Sequence, residues 1–410
     1  MKSTKPLGTP RAALALLLCA SAALAADAVP KVRAITAFIE ISPANYSAQI
    51  QDAMRFLDGA RGRFRAAGFE VQTVRIATQP FPEYTRGLKH EAALALLRHI
   101  DEMGNKLGFT PAIGPAMLHD SDDPSSVDLL ADFLAQPGKT NASLVTAAED
   151  GIHWTAIRQA ARLIKAVSAR SPHGQGNLNF AAIAMLKPHC PFYPGAYQLG
   201  GGKAFAIGLE GAGVVEDVFA RDRDPRTAGA VLAAALGKYA RQVEEIAGQI
   251  AASGGWTYAG IDPTPAPLGD VSIGRAIESF TGSPFGGSGT MTAAGIITRA
   301  VQSIPVKRVG YSGLMVPVLE DNVLARRWAE GAFTIDSLLA YSAVCAGGLD
   351  TVPLPGDITE ERLAHILDDV ATLAFKWNKP LAARLLPVPG RKAGERTEFE
   401  DSRMANTTIH

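Results

Sequence analysis

Val32-Arg33-Ala34-Ile35-Thr36-Ala37-Phe38-Ile39-Glu40-Ile41 is a nearly unbroken apolar run that stops at Ser42-Pro43. Beyond that stop, Ile50, Met54, Leu57 and Phe64 recur at helical spacing, Gly68 stands where a helix would be capped, and Val71, Thr73, Val74 and Ile76 alternate as in a strand. The order strand, helix, strand predicts a βαβ unit, whose two strands must be parallel because the helix carries the chain back to its starting edge. Working outward, the rhythm continues. Helices are predicted over 92–107, 126–135 and 155–167, with strands over 109–113 and 142–146 and a buried parallel strand over 180–186.

The second half repeats the pattern with longer connections. It reads as a strand over 205–209, a long helix opened by Asp224-Pro225 and ended near Gly254-Gly255, and a strand over 256–261. Helices over 273–280 and 290–301, a strand over 306–311 and helices over 322–330 and 335–345 follow. Leu363, Ile366, Leu367, Val370 and Leu373 mark a last amphipathic helix before the apolar run 381–388. No linker rich in Pro, Gly or Ser interrupts this alternation, which points to one large α/β domain over 26–393, with 394–410 a mobile polar tail. No period of 20–50 residues repeats, which argues against a solenoid.

Composition narrows the function classes. Lys plus Arg and Asp plus Glu number 40 each, so no overall field draws the 410-residue chain to nucleic acid or to an anionic membrane surface. Hydrophobic residues at 47% are enough to bury a sizeable core. At the amino terminus, Lys2, Lys5 and Arg11 precede an apolar run over 12–25 that ends in Ala23-Leu24-Ala25, the small-x-small pattern of a signal-peptidase site. This predicts a cleaved signal peptide over 1–25 and a periplasmic protein without stable membrane insertion afterwards. A retained anchor is the competing reading. Cleavage would leave Cys190 and Cys345, open to three fates: one disulfide, a reactive thiol, or two inert buried thiols.

In α/β folds ligands gather beyond the carboxyl ends of strands, which directs attention to four loops. The first, 187–203, crowds His189, Cys190, Tyr193, Tyr197 and Lys203 together; an imidazole beside a thiol suggests nucleophilic chemistry, and a stiff loop with packed aromatics explains the segment as well. The second, 261–270, holds Asp262 and Asp270 among three prolines, as acid/base groups or metal ligands, or as turn and helix caps. In the third, Gly286, Gly287, Ser288, Gly289 and Thr290 precede an apolar helix and suit an anion held by backbone N–H groups, or an ordinary capped turn. The fourth, 345–357, carries Cys345 and Asp350, with the carboxylates Glu320 and Asp321 upstream. Neither residues 286–290 nor Gly200-Gly201-Gly202-Lys203 satisfies Walker spacing, and no His-x-x-x-His or Cys-x-x-Cys occurs, so no metal site is predicted by motif and no cofactor is indicated.

Several long strings at these loops carry a resemblance. Pro191-Phe192-Tyr193-Pro194-Gly195-Ala196-Tyr197, Gly260-Ile261-Asp262-Pro263-Thr264-Pro265-Ala266-Pro267, Leu349-Asp350-Thr351-Val352-Pro353-Leu354-Pro355-Gly356-Asp357 and Lys379-Pro380-Leu381-Ala382-Ala383-Arg384 resemble the domain-of-unknown-function 711 family, in order and over nearly all the chain after residue 25. The resemblance implies a fold similar to pyruvate formate-lyase and other glycyl radical enzymes, an α/β barrel of about ten strands with helices outside. It implies no established reaction and no agreed catalytic residues. Arg308-Val309-Gly310-Tyr311 resembles the glycyl radical motif only superficially, since a residue between Val and Gly is missing and about a hundred residues follow.

The functional expectation is an exported enzyme acting on a small anionic or polar metabolite, without a glycyl radical. Asp262, Cys345, Glu320, His189 and Cys190 are candidates for acid/base or thiol chemistry, and Lys203, Asp350 and residues 286–290 for substrate binding. A non-catalytic small-ligand-binding protein is the alternative, and homo-oligomerisation is left open.

Overall fold

The structure, a computed structural model, describes Met1 and residues 28–410; the segment read as an export signal lies, apart from Met1, outside the described residues. The first half runs β1 (Lys31–Ile39), α1 (Tyr46–Ala66), β2 (Val71–Thr78), α2 (Phe81–Thr85), α3 (His90–Leu107), β3 (Thr110–Pro115), α4 (Ser125–Leu134), β4 (Asn141–Ala148), β5 (Gly151–Ile152), α5 (Trp154–Arg170) and, after a 3-10 segment, β6 (Phe180–Ala184). The second half adds β7 (Ala204–Glu210), α6 (Ala212–Arg221), α7 (Ala228–Ala252), β8 (Thr257–Asp262), α8 (Ile273–Thr281), α9 (Thr290–Ser303), α10 (Asn322–Ala329), α11 (Ile335–Ser342), β9 (Gly348–Pro355), α12 (Glu360–Trp377) and β10 (Leu381–Val388).

These strands form one ten-stranded mixed sheet in the order β8-β7-β1-β2-β3-β4-β6-β10-β9, with β5 paired to β4. The opening βαβ unit is as read from the sequence: β1 and β2 are parallel, with Val32 opposite Val71 and Ile39 opposite Thr78. Ile50, Met54, Leu57 and Phe64 of α1 are buried against them. The sheet departs from an all-parallel arrangement at three pairings: β7 is antiparallel to β1, β10 is antiparallel to β6, and the short β5 is antiparallel to β4. The first two follow from one change of chain direction, at the connection between β6 and β7: β1 to β4 and β6 run one way, and β7 to β10 run the other.

Four expectations need correction. The single helix expected after Asp224-Pro225 is preceded by a separate helix, α6, and α7 begins only at Ala228; Asp224 instead turns its carboxylate onto the Arg226 guanidinium. The strand expected over 306–311 is not one. That segment makes one isolated bridge, Arg308 with Ile261 of β8, and beyond it Pro317 bridges Asp350 of β9, so residues 306–321 touch both outer strands of the sheet. The loop expected over 345–357 is largely β9, whose two prolines are tolerated because it is an outer strand. Finally, residues 394–410, expected as a mobile tail, are packed. Phe399, Met404 and Ile409 are buried with Leu178, Leu319, Leu386 and Val388; Thr407 Oγ1 donates to Ala325 O at 2.6 Å and Ala405 N to Leu319 O at 2.7 Å. Polar composition concealed three apolar residues spaced to reach one surface.

The two faces of the sheet differ. Ile35, Ala37, Val74, Ile76, Phe205, Ile207 and Leu209 join helical side chains in the principal core. On the other face many positions are small or polar, Thr36, Ala77, Ala112, Ala181, Ala206 and Gly208 among them, alongside the larger Phe38, Val145 and Ile183. There the connection between β6 and β7 is buried, with Cys190, Phe192 and Tyr197 packed beside Val145, Ile183 and Tyr311. The small residues make the room: a Cβ on Gly208 would meet the Phe192 ring at 3.2 Å, and one on Gly195 would meet Leu186 Cδ2 at 2.4 Å. Thr36 Oγ1 donates to Pro191 O at 2.9 Å and Tyr193 Oη to Thr110 O at 3.1 Å, pinning the connection to the sheet.

The packed tail has a measurable consequence. Ile409→Ala removes a fully buried side chain and is expected to lower stability by about 2 kcal/mol or more in urea denaturation. A mobile tail would give no change.

Candidate functional site

A cavity with a volume of about 610 Å³ lies on the helix-free face. Its walls come from the amino-terminal halves of β1 to β4 (Arg33, Thr73, Arg75, Thr110, Asn141), from the buried connection (Phe192, Tyr193, Pro194) and from the 306–321 segment (Tyr311, Met315, Glu320). β9 and β10 add Asp350 and Arg384, and the carboxyl-terminal segment adds Arg403. The sequence directed attention to the carboxyl ends of the strands; most of this lining is at the opposite end of β1 to β4 or within the sheet itself.

Arg75 is the least ordinary residue here. It sits in the middle of β2, 8% exposed, and no carboxylate forms an ion pair with it among the described residues. Its Nη1 donates to Pro191 O at 3.2 Å, its Nε to Thr73 Oγ1 at 3.2 Å, and its guanidinium lies 4.6 Å from the centre of the Tyr193 ring. Burial, assisted by the charge of Arg33, lowers its pKa to about 10, which still leaves a full positive charge at neutral pH. A buried cation without a counter-charge is costly unless an anion completes it.

Across the cavity Arg384 lies between two carboxylates: its Nη2 donates to Glu320 Oε2 and its Nε to Asp350 Oδ1, both at 2.5 Å, and the three side chains are only 9–14% exposed. Burial works against the charge on Arg384, but Asp350 and Glu320 outweigh it and hold its pKa above the ordinary range. The two acids are pushed apart. Burial alone would raise Glu320, yet Arg384 and then Arg33 bring it below the usual carboxylate value. For Asp350 burial outweighs Arg384 and leaves it raised. Two acids with divided affinities are what proton transfer requires. Tyr311 closes the same wall, with its phenol pushed well above its ordinary value by burial and by the neighbouring Cys190.

The remaining sequence candidates take other places. Asp262 is fully buried and is a tie rather than a lining group: Oδ1 accepts from Thr264 N at 3.0 Å, Thr264 Oγ1 at 2.6 Å and Ser312 N at 3.1 Å, and Oδ2 accepts from Tyr311 N at 2.8 Å. It therefore fixes the segment that presents Tyr311. Burial pushes its carboxyl up to about 6 against those four donors. Cys190 lies close by, buried, and its thiol is driven well above the usual value by burial and by Asp262. Cys345 is buried at the end of α11 and is raised by burial as well. Both cysteines are free thiols, so the disulfide reading is set aside, and neither environment favours a thiolate.

His189 and Lys203 do not line the cavity. His189 Nε2 bonds Gln198 Oε1 at 2.8 Å, its ring meets Phe38 edge-on, and burial lowers its pKa. Lys203 is exposed and pairs with Asp52. Residues 286–290 form a turn closed on itself, since Gly286 N donates to Thr290 Oγ1, Gly287 N to Pro284 O and Thr290 N to Gly287 O. Gly286 is required because a Cβ there would lie 2.3 Å from Ala332 O. The glycines serve a tight turn against α10 and its exit, with their N–H groups largely spent. Asp321, next to Glu320, caps α10 through Val323 N and Leu324 N and also accepts from Ile273 N and Gly274 N.

Glu320 and Asp350 are thus the sequence candidates brought together at the cavity, joined by two arginines that loop-centred reasoning missed. The signal was present: Arg75 in Val74-Arg75-Ile76-Ala77 and Arg384 in Ala382-Ala383-Arg384-Leu385 are charges inside apolar strands.

Comparison with known proteins decides the family. The model described as "Uncharacterised ACR (DUF711)" matches residues 25–401. The chain belongs to the DUF711 family. Similar proteins include a UPF0210 protein of Pyrobaculum arsenaticum, 31% identical over 392 residues that cover 89% of this chain and 86% of the relative. A UPF0210 protein of Desulforudis audaxviator is 31% identical over 355 residues (82% and 78%), and one of Actinobacillus succinogenes 27% over 350 (81% and 77%). In this DUF711 protein Arg75, Glu320, Asp350 and Arg384 fall within the matched span, and Arg403 falls beyond it.

The tie made by Asp262 can be tested at two points. A Cβ on Gly310, whose φ is +69°, would lie 2.3 Å from Asp262 Oδ2 and 3.1 Å from Cys190 Sγ, so Gly310→Ala is expected to cost about 2 kcal/mol or more in urea denaturation. Asp262 titrates at 3.8 when unfolded and about 6 when folded, so the folded state holds this proton more tightly. The resulting stability is complete below 3.8 and is lost as pH rises through about 6. Asp262→Asn should therefore cost about 1 kcal/mol more at pH 5 than at pH 7.5. Equal costs at the two pH values would contradict the raised carboxyl.

Proposed function

We propose that this DUF711 protein is an exported enzyme that binds a small anionic metabolite in the 610 Å³ cavity, anchored on Arg75, and moves a proton with Glu320 and Asp350. The observation that carries the reading is the buried guanidinium of Arg75 with no acid beside it. An anion placed there would meet a charge already desolvated and oriented, which is the arrangement that gives a charge-assisted hydrogen bond its strength. Thr73, Thr110 and Asn141 stand beside it as neutral hydrogen-bonding groups. Acid/base chemistry is favoured over thiol chemistry because Glu320 and Asp350 line the cavity while both thiols are buried with raised pKa values.

The fold reading that accompanies this function is a barrel of the pyruvate formate-lyase type, with 306–321 completing the ring between β8 and β9 and the cavity as its interior. The bridges of Arg308 and Pro317 to the two outer strands support it. No glycyl radical is invoked. Gly310, in the segment that superficially resembles the radical motif, is wedged between Asp262 and Cys190. Export rests on the charged, apolar and small-x-small sequence of residues 1–25, nearly all of which precede the family match at residue 25.

A non-catalytic binding protein is the second reading, and one observation favours it: both carboxylates already bond Arg384, as they would in a static ion cluster. Thermal unfolding at pH 7.5 with and without inorganic phosphate or succinate tests the anion site. Either anion should raise Tm in the wild type and not in Arg75→Met; equal shifts in both proteins would refute the site. Ligand incubated in deuterium oxide and followed by proton NMR then separates the two readings. Exchange of carbon-bound hydrogen that is lost in Glu320→Gln supports the enzyme, and binding without exchange supports the binder. Intact mass of the secreted protein checks export, with a mature start at Ala26 expected.

A further inference from the structure

The charges around the cavity are not evenly mixed. On the side of β1 and β2 stand Arg75, without an acid, and Arg33, which pairs only loosely with Glu210 at 3.6 Å. Arg65 and Arg403, the latter paired with Asp401 at 2.7 Å, add two more guanidinium groups to the lining, and the one lining acid near them, Glu70, pairs with Lys31. On the side of β9 and β10 one guanidinium, Arg384, is shared by two carboxylates, Glu320 and Asp350, an excess of one negative charge when both are ionised. The two sides sense each other, since Glu320 is among the charges that favour ionised Arg75. One cavity therefore presents a guanidinium with no paired acid together with two carboxylates that share a single paired guanidinium, Arg33 and Arg403 acting on Glu320 only from a distance.

We propose that the ligand class of this site is the zwitterion of an α-amino acid, with its carboxylate on Arg75 and its ammonium between Glu320 and Asp350. This rests on the reading of Arg75 as an anion anchor and goes beyond it by assigning the opposite wall. A simple carboxylate satisfies Arg75 and leaves two carboxylates with one paired guanidinium between them, and a simple amine does the reverse. Only a molecule carrying both charges completes both walls. An ammonium between two carboxylates also restores the ionised form of Asp350, which burial otherwise opposes. The acid that holds the ammonium is then the group placed to accept its proton, which joins this ligand class to the proton transfer assigned to Glu320 and Asp350.

The test is calorimetric titration of the full-length protein at pH 7.5 with paired probes: glycine, alanine, glutamate, leucine and phenylalanine, each beside the carboxylate that lacks its amino group (acetate, propionate, glutarate, 4-methylpentanoate, 3-phenylpropanoate). At least one amino acid is expected to bind tenfold or more tightly than its carboxylate partner. Glu320→Gln and, as a second variant, Asp350→Asn should bring that amino acid down to the affinity of its partner, while Arg75→Met should abolish binding of both. Unchanged thermal unfolding shows which variants remain folded. If carboxylates bind as tightly as their amino acids and lose affinity in Arg75→Met, the anion anchor stands and the zwitterion assignment is overturned. If nothing binds, or if Arg75→Met changes nothing, both fall.

Discussion

A guanidinium held out of water without an acid to neutralise it is the constraint around which the helix-free face is arranged. Arg75 stays in β2 because the Pro191 carbonyl, the Thr73 hydroxyl and the Tyr193 ring replace part of its hydration. Two of those three partners belong to the buried connection between β6 and β7. The connection must therefore be held at atomic precision, and Thr36, Thr110 and the small residues beneath Phe192 do so. The charge explains why polar groups sit on that face; the buried loop explains why the positions beneath it, such as Gly208, are small.

The opposite wall depends on a second tie. Asp262, at the end of β8, collects the N–H groups of Tyr311 and Ser312 and so fixes a segment that has almost no ladder of its own. From that segment the chain runs on to Glu320, which meets Arg384 and, through it, Asp350. Asp262 thus acts at a distance on the cavity it does not line. A buried carboxylate with four donors is a strong local anchor, because loss of any partner leaves a polar group unsatisfied.

Much of this was legible in the sequence. The opening βαβ unit, the helix faces and the buried strands followed from periodicity, since tertiary packing here agrees with local preference. What was not legible depended on pairing between distant segments. Nothing local distinguishes β9 from a proline-rich loop until β10 lies beside it, and Val306–Tyr311 reads as a strand because apolar alternation does not say whether a partner is present. The polar tail was misread for the same reason, its three buried apolar residues having no meaning without the surface they cover. Site residues divided similarly. Glu320 and Asp350 were found by chemical type, whereas Arg75 and Arg384 were overlooked because attention went to loops when the anomaly lay in charged residues within strands. Gly286 to Thr290 and Asp262 were read as chemistry and are better explained by backbone geometry and by hydrogen-bond satisfaction.

The most direct test of the central claim is a crystal structure of the full-length protein soaked in selenate, with anomalous scattering used to locate the anion. The account predicts selenate in the cavity within hydrogen-bond distance of the Arg75 guanidinium, and its loss from crystals of Arg75→Met. Selenate found only at surface arginines outside the cavity, such as Arg362, or an Arg75 turned away from the cavity, would contradict it.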